Sequence, residues 1–397
     1  MQRFLISLTV LYCLCLTGVS DARTRHLHIL YTGGVGGELE TCGCSPKTDF
    51  GGVVRRGGFI ESQGMTLSPS VIVEAGNFLG EDTKQGRLKA EAMVEALAIM
   101  GYDAVALGWS EHLYPDGFIS ELLQRWELPL LSGIDEFQRS IILERGDLSV
   151  NLSIDREGQK EGAINILLAE DLFAELQSVD GWDIVILSSG ELLETPRWKD
   201  GAVVVSGYPR GERLGVVKLT VDDRGDPIGF EHRWQFLGVD EEESTAVMAI
   251  LDSYNEKVAT LLKESYEPPS ESTFAGVARC AECHQSYVDD WKKSGHSRAW
   301  SVLDEVGKTG DPECIKCHVV GFGEEGGFHS FETTPELANV QCEVCHGQGA
   351  GHVTDFYKPM REVGEATCLR CHTEQNSPDF DYPVYRGKIN HKQMWED

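Results

Sequence analysis

The sequence predicts two folded units in series: an α/β layered domain, then a mainly α domain whose core its own side chains do not supply. Three observations predict this. Strand-length apolar runs alternate with helix-spaced segments up to Val239. A linker-like break follows at Tyr266-Glu267-Pro268-Pro269-Ser270. Beyond it, eight of the 12 cysteines crowd between Cys280 and Cys371, in a stretch with few long apolar runs. The 397 residues exceed one domain of about 100–200 residues, so two are expected.

Residues 1–22 read as an export signal. Arg3 supplies the positive start and Phe4–Leu16 is an apolar run broken only by Ser7 and Thr9. Gly18-Val19-Ser20 and Ser20-Asp21-Ala22 offer small-x-small cleavage sites. A spanning helix needs about 20 apolar residues, more than this run holds. A lipid anchor on Cys13 or Cys15 lacks the small residues directly before the cysteine. No second stretch could span a bilayer, so no membrane span is expected after signal removal. The protein is expected to be periplasmic or otherwise exported, with ten cysteines left in an oxidising compartment.

Four short apolar runs with Gly-rich ends then read as strands: His28–Tyr31, Val71–Val73, Ala104–Leu107 and Asp183–Leu187. Between them, Lys89–Met100 carries Ala92, Met93, Ala96, Leu97 and Met100 at helical spacing, and Phe118–Trp126 does the same with Phe118, Leu122 and Trp126. Strands alternating with helices indicate α/β layers. Val203–Val205 and Leu214–Leu219 read as further strands. Glu241–Ser265 has no Gly or Pro and places Val247, Leu251, Val258 and Leu262 on one stripe, a long helix ending at the linker. The expected division is 26–240 for the first domain, 241–272 for the helix and linker, and 273–397 for the second domain.

The second domain carries four repeats of one motif: Cys280-Ala281-Glu282-Cys283-His284, Cys314-Ile315-Lys316-Cys317-His318, Cys342-Glu343-Val344-Cys345-His346 and Cys368-Leu369-Arg370-Cys371-His372. Cys-x-x-Cys-His is the attachment run for c-type haem. Two thiols bond covalently to the haem vinyl groups and the adjacent His gives iron an axial nitrogen. Paired Cys-x-x-Cys units could hold zinc, and eight cysteines could form disulfides, but neither requires a His after every pair. A thioredoxin-like pair would follow a strand and occur once. Four covalent haems are therefore expected, and they also answer a packing problem. A segment this poor in Leu, Ile and Val has a weak core of its own, so it should fold only with haem attached. The remaining histidines there are His296, His329, His352 and His391, enough by composition for a second axial ligand on each iron.

These residues resemble the tetrahaem cytochrome c-554 family. The likeness rests on the first motif followed by Trp291-Lys292-Lys293-Ser294-Gly295-His296, on Cys317-His318-Val319-Val320-Gly321-Phe322-Gly323 with Gly326-Gly327, on Cys342–His346 followed by Gly347-Gln348-Gly349, and on Ser377-Pro378. It covers about 277–397. The resemblance implies electron transfer, hydroxylamine oxidoreductase being the donor to the family's namesake. It also implies three irons with two histidines each, using His296, His352 and His391 as distal ligands, and one open iron on His318. His329 falls where the family has no ligand. Part of the family's insertion before the fourth motif is missing here.

The first domain resembles the metallophosphatase domain of periplasmic nucleotidases over about 26–239. The resemblance rests on His28–Tyr31 with Thr32-Gly33-Gly34, on Gly51-Gly52-Val53-Val54-Arg55-Arg56, on Glu74-Ala75-Gly76-Asn77-Phe78 and on Gly101–Gly108. That family's metal ligands are lost. Its Asp and His positions fall on Gly34, Gly36, Asn77, Trp109, Ser110, Ser189, Tyr208 and Arg210, so two-metal hydrolysis is not expected. Gly33-Gly34-Val35-Gly36-Gly37 lacks phosphate-loop spacing. Cys42 and Cys44 are either a structural disulfide or a redox or soft-metal pair, with His112 a candidate helper.

The full expectation is an α/β layered metallophosphatase-like domain followed by a mainly α, haem-packed multihaem cytochrome c domain. Its role is to carry electrons between exported redox partners. The rival readings are an oxidoreductase acting on a small nitrogen or sulfur compound at the open haem or at Cys42/Cys44, and a hydrolase with an altered metal site. Net charge is -29, with -21 through Ser272 (23 basic, 44 acidic) and -8 from Thr273 (12 basic, 20 acidic). That balance excludes nucleic acid as a partner and predicts a partner with a basic docking face.

Overall fold

A computed structural model describes residues 24–41, 43–134, 137–170, 178–188, 192–265 and 272–389. The export-signal reading (1–22), Cys42, Ser189 and His391 fall outside the described residues.

The N-terminal unit holds twelve described strands. They are β1 (Arg25–Thr32), β2 (Ser70–Glu74), β3 (Ala104–Ala106), β4 (Leu130–Leu131), β5 (Ser140–Arg145), β6 (Leu148–Ser153), β7 (Ile164–Ala169), β8 (Ile184–Leu187), β9 (Arg197–Lys199), β10 (Ala202–Ser206), β11 (Arg213–Val221) and β12 (Pro227–Phe236). Helices α1 (Val53–Gln63), α2 (Lys84–Met100), α3 (Asp116–Arg125) and α4 (Thr245–Ser265) accompany them. One sheet runs β12-β11-β1-β2-β3-β4 and the other β5-β6-β7-β8-β10-β9. In the first, β1 to β4 run parallel and β11 and β12 add antiparallel on one side; in the second, a parallel centre is flanked by an antiparallel strand at each edge.

Side-chain alternation sets the layers. Along β1, Leu27, Ile29 and Tyr31 face the second sheet, whereas Leu30 faces the helices. Val71 and Val73 against Ile72, and Ala104 and Ala106 against Val105, repeat the pattern. The order is therefore helices, sheet, sheet: the α/β layering expected from the sequence. Helix α2 starts five residues earlier than its apolar spacing suggests, because Thr83 caps it by accepting from the Gly86 amide at 2.9 Å. It stops where Gly101 turns left-handed at φ 71°. Helix α4 starts later than expected. Ser244 supplies the first helical acceptor to Met248 and leaves the acidic run 240–243 outside.

Helix α4 does more than lead into a linker. Val247, Ile250, Leu251, Tyr254 and Val258 pack in the core of the N-terminal unit, and Leu262 packs with Phe274, Leu303, Ile315 and Leu337 of the C-terminal unit. The C-terminal unit consists of short helices: α5 (Val277–Trp291), α6 (Ala299–Glu305), α7 (Pro312–Ile315), α8 (Cys342–His346), α9 (Ala350–Thr354), α10 (Glu365–Cys368) and α11 (Tyr382–Ile389). Its apolar cluster is small, as the low Leu, Ile and Val content predicts. The described residues contain no helix long and apolar enough to cross a membrane.

Candidate haem site

Each Cys-x-x-Cys-His run lies on or just after a short helix, which turns its two thiols toward one side. All eight motif cysteines are free. The thiols of Cys280 and Cys342 hydrogen-bond each other, and so do those of Cys317 and Cys371. The first motif therefore abuts the third, and the second abuts the fourth. Among the described residues, no three His, Cys, Asp or Glu side chains converge as a metal cluster would require.

The histidines form pairs instead. The rings of His284 and His352 lie 6.4 Å apart at 18°, and those of His296 and His372 lie 6.1 Å apart at 46°. These separations lie toward the wide end of ring–ring contact and leave room for an atom between the rings. Two iron–nitrogen bonds of about 2 Å each, plus the reach from nitrogen to ring centre on both sides, give about 6 Å. The sequence nominated His296 and His352, and the structure sets each opposite a motif histidine from a different part of the chain.

Backbone carbonyls orient the rings. His318 Nδ1 donates to Ala299 O at 2.6 Å, His352 Nδ1 to Lys358 O at 2.8 Å, and His346 Nδ1 to Arg361 O at 3.2 Å. A carbonyl can only accept, so each bond fixes the proton on Nδ1 and leaves the Nε2 lone pair for a metal. Burial lowers the pKa of His296, helped by His372, and burial alone lowers that of His372. Both are thereby held neutral, the form that ligates. His329 sits apart, with Nδ1 on the Thr333 hydroxyl at 2.8 Å, as its failure to match a family ligand predicts.

Two cavities meet these residues. One, of about 640 Å³, is lined by Cys342, Cys345, His346, His296 and Cys368. The other, of about 590 Å³, is lined by Cys317, His318, Cys371, His372 and Cys44. Both fall in the range of cofactor sites, about 300–1,000 Å³. The donor set fits covalent haem: free thiols in Cys-x-x-Cys spacing, two facing imidazole pairs, and three imidazoles whose Nδ1 is held by a backbone carbonyl.

Sequence comparison agrees. Residues 279–347 match the family described as Cytochrome c554 and c-prime. The C-terminal unit is similar to cytochrome c-554. It is 32% identical over 112 residues to "Cytochrome c-554" of Nitrosomonas europaea, covering 24% of this chain and 46% of that protein. The chain thus spans about half the length of the curated relative it matches. The family is one of c-type cytochromes, which supports an electron-carrier role and covalently bound haem c.

The N-terminal fold is similar to a 5'-nucleotidase precursor from Thermus thermophilus, at 15% identity, TM-score 0.52, and coverage of 63% of this chain and 62% of that one. A second likeness is to the sulfate thiohydrolase SoxB of the same organism, at 15% identity and TM-score 0.49, covering 58% and 60%. This likeness is one of fold. At the positions where the nucleotidase resemblance places metal ligands, this chain has built a hydrogen-bonded floor. Asn77 Nδ2 donates to Ser188 Oγ at 3.0 Å, and Asn77 Oδ1 accepts from the Ser110 amide at 2.9 Å. Buried Glu111 accepts from the amides of Asn77, Leu79 and Gly108 at 2.7–2.9 Å and from the Ser110 hydroxyl at 2.8 Å. Trp109 is 64% exposed, and His112 is exposed on the following turn. Cys44 is disulfide-bonded.

Sequence reasoning missed one residue that holds the haem segment together. Glu343, a spacer inside the third motif, is 3% exposed and accepts from the amides of Ala275, Gly276 and Gly349 at 2.8, 2.8 and 2.6 Å. An acidic spacer facing two glycine amides carries no pattern that spacing alone would flag.

Proposed function

We propose that this chain is an exported tetrahaem c-type cytochrome that carries electrons between redox partners with basic docking faces. The facing pairs His284/His352 and His296/His372 carry the reading. In it, Cys280/Cys283, Cys314/Cys317, Cys342/Cys345 and Cys368/Cys371 hold four haems. Iron would be held between His284 and His352 and between His372 and His296, His346 and His318 would each hold one of the other two irons, and the family resemblance adds His391 as a third distal ligand and leaves the iron on His318 open. Haem iron supplies one-electron ferric/ferrous chemistry when bound. The chain's own part is to fix ring tautomers through backbone carbonyls, to exclude water by burial, and to bring the motifs together two by two. Residues 26–240 form a metallophosphatase-like domain without metal ligands, 241–272 a helix and linker, and 273–397 the haem domain.

A second reading follows from His318. Among the described residues no histidine ring faces it, so an open iron there suits an oxidoreductase acting on a small nitrogen or sulfur compound. A pyridine haemochrome titration of the exported protein tests the main reading, and a ratio well below four haems per chain overturns it. Electron paramagnetic resonance showing all four irons low-spin removes the second.

A further inference from the structure

Cys44 belongs to the N-terminal unit, yet it lines the cavity formed by Cys317, His318, Cys371 and His372. Its loop is fastened to the chain that follows the fourth motif. Thr48 Oγ1 donates to Gln375 O at 2.7 Å, and Lys47 Nζ meets Asp379 Oδ1 at 2.7 Å. The loop is braced from its own side as well, by Thr41 Oγ1 on Asp49 Oδ1 at 2.6 Å and by Arg55 on Asp49 at 2.9 Å. Arg210 adds a hydrogen bond to the Gln375 side chain. A disulfide is thus held against the place where two Cys-x-x-Cys-His motifs converge. Cys44 is exposed, and exposed disulfides are the more oxidising and more readily reduced ones.

We propose that the Cys44 disulfide is a redox-active terminus of the haem chain, a two-electron store or outlet beside its one-electron carriers. The proposal rests on the tetrahaem reading. The S–S bond breaks, two electrons arrive singly as two ferrous irons become ferric, two protons come from water at the exposed loop, and two thiols result. The reverse step re-forms the bond and reduces two ferric irons. The substrate class this terminus suits is a thiol or disulfide of a partner, which exchanges with it through a mixed disulfide.

The test uses the intact haem-loaded protein adsorbed on an electrode without mediators, so that electrons reach the disulfide only through haem. Full reoxidation should return six electrons per chain, one for each of four haems and two for the disulfide. Protein reduced in the same way and then alkylated should carry label on Cys44. The Cys44→Ser variant should return four electrons. Because that variant could misfold, the alkylation of unmodified protein stands as an independent reading. Four electrons in both proteins, with Cys44 unlabelled while haem absorbance shows full reduction, overturns the proposal. A pyridine haemochrome ratio far below four sinks the tetrahaem reading, and this proposal with it, by a separate measurement.

Discussion

Arg210 occupies a position that the nucleotidase resemblance gives to a metal-ligating histidine, and its guanidinium hydrogen-bonds the side-chain oxygen of Gln375, three residues beyond His372. The same guanidinium pairs with Glu38 at 3.2 Å. Arg210 thus joins the two units. Around it, Lys308 pairs with Glu40, Gln85 Nε2 donates to Asp311 at 3.0 Å, and Lys89 meets Glu313 at 2.7 Å.

If His352 and His296 are distal ligands, removing either should change one iron and leave the covalent attachment intact. His352→Ala and His296→Ala are each expected to retain four haems per chain and to convert one low-spin iron to high-spin by electron paramagnetic resonance. His329→Ala is expected to change neither quantity. An unaltered low-spin signal in both distal variants would exclude the paired-ring assignment.

Glu343 satisfies three amide groups, each of which costs about 1–3 kcal/mol when buried without a partner. Glu343→Ala should therefore destabilise the haem segment by several kcal/mol, read as a lower melting temperature and a poor yield of four-haem protein. Glu282→Ala, at the same place in the first motif but on an exposed side chain, should lie within about 0.5 kcal/mol of the parent.

A side chain at Gly34 should be excluded on steric grounds that do not apply at Gly36. A Cβ on Gly34 would stand 2.6 Å from Ser188 O at φ +68°, whereas one on Gly36 at φ +65° meets nothing within 4 Å. Both substitutions carry the left-handed penalty of about 1–2 kcal/mol, and only Gly34 adds a backbone clash. Gly34→Ala should melt clearly below Gly36→Ala in thermal unfolding. Equal losses would contradict the geometry.

Glu74 gives the N-terminal unit a pH dependence. Burial raises its carboxyl from 4.5 to about 7, against the opposing pull of the Thr32 hydroxyl at 2.6 Å and of Arg56, with Glu111 adding to the rise. Tyr102 also faces this cluster, through Thr32 at 3.0 Å and Arg56 at 3.4 Å. The folded state thus holds a proton that the unfolded chain has already released between these two values. Stability from this group is complete below about 4.5 and is lost as pH rises through about 7, by at most about 3 kcal/mol. Melting temperature should fall from pH 5 to pH 8 in the parent and fall less in Glu74→Gln. A parallel slope in the two proteins would assign the dependence elsewhere.

The sequence signals that proved readable were local ones. The apolar runs of β1, β2 and β3, the helical spacing from Ala92 to Met100 and the stripe from Val247 to Leu262 each follow from a few neighbouring residues. The hairpin β5–β6 was also open to reading. Ser140–Arg145 and Leu148–Ser153 pair antiparallel around Gly146-Asp147, with Gly146 at φ +64°, yet mixed polar residues masked the run. The motif cysteines and histidines were legible because haem attachment needs them in sequence. Which histidine faces which was not, since His284 meets His352, and His296 meets His372, only after the chain has folded back. Glu343, Gln375 and Arg210 share that limit, because each acts on a residue far away in sequence.

The acidity bears on how a partner arrives. A net charge of -29 creates a field that draws a basic redox protein and that salt screens over about 10 Å at 0.1 M. With a basic single-haem cytochrome as acceptor, the second-order rate of electron transfer from the reduced protein should fall as ionic strength rises from about 10 mM to about 500 mM. Steered association can exceed unsteered association by about 10- to 1,000-fold, so a drop of at least tenfold is expected. An acidic acceptor should show the opposite trend, from a slower start. A rate to the basic acceptor that ignores salt would mean that docking rests on an apolar or neutral face, and the predicted partner class would be wrong.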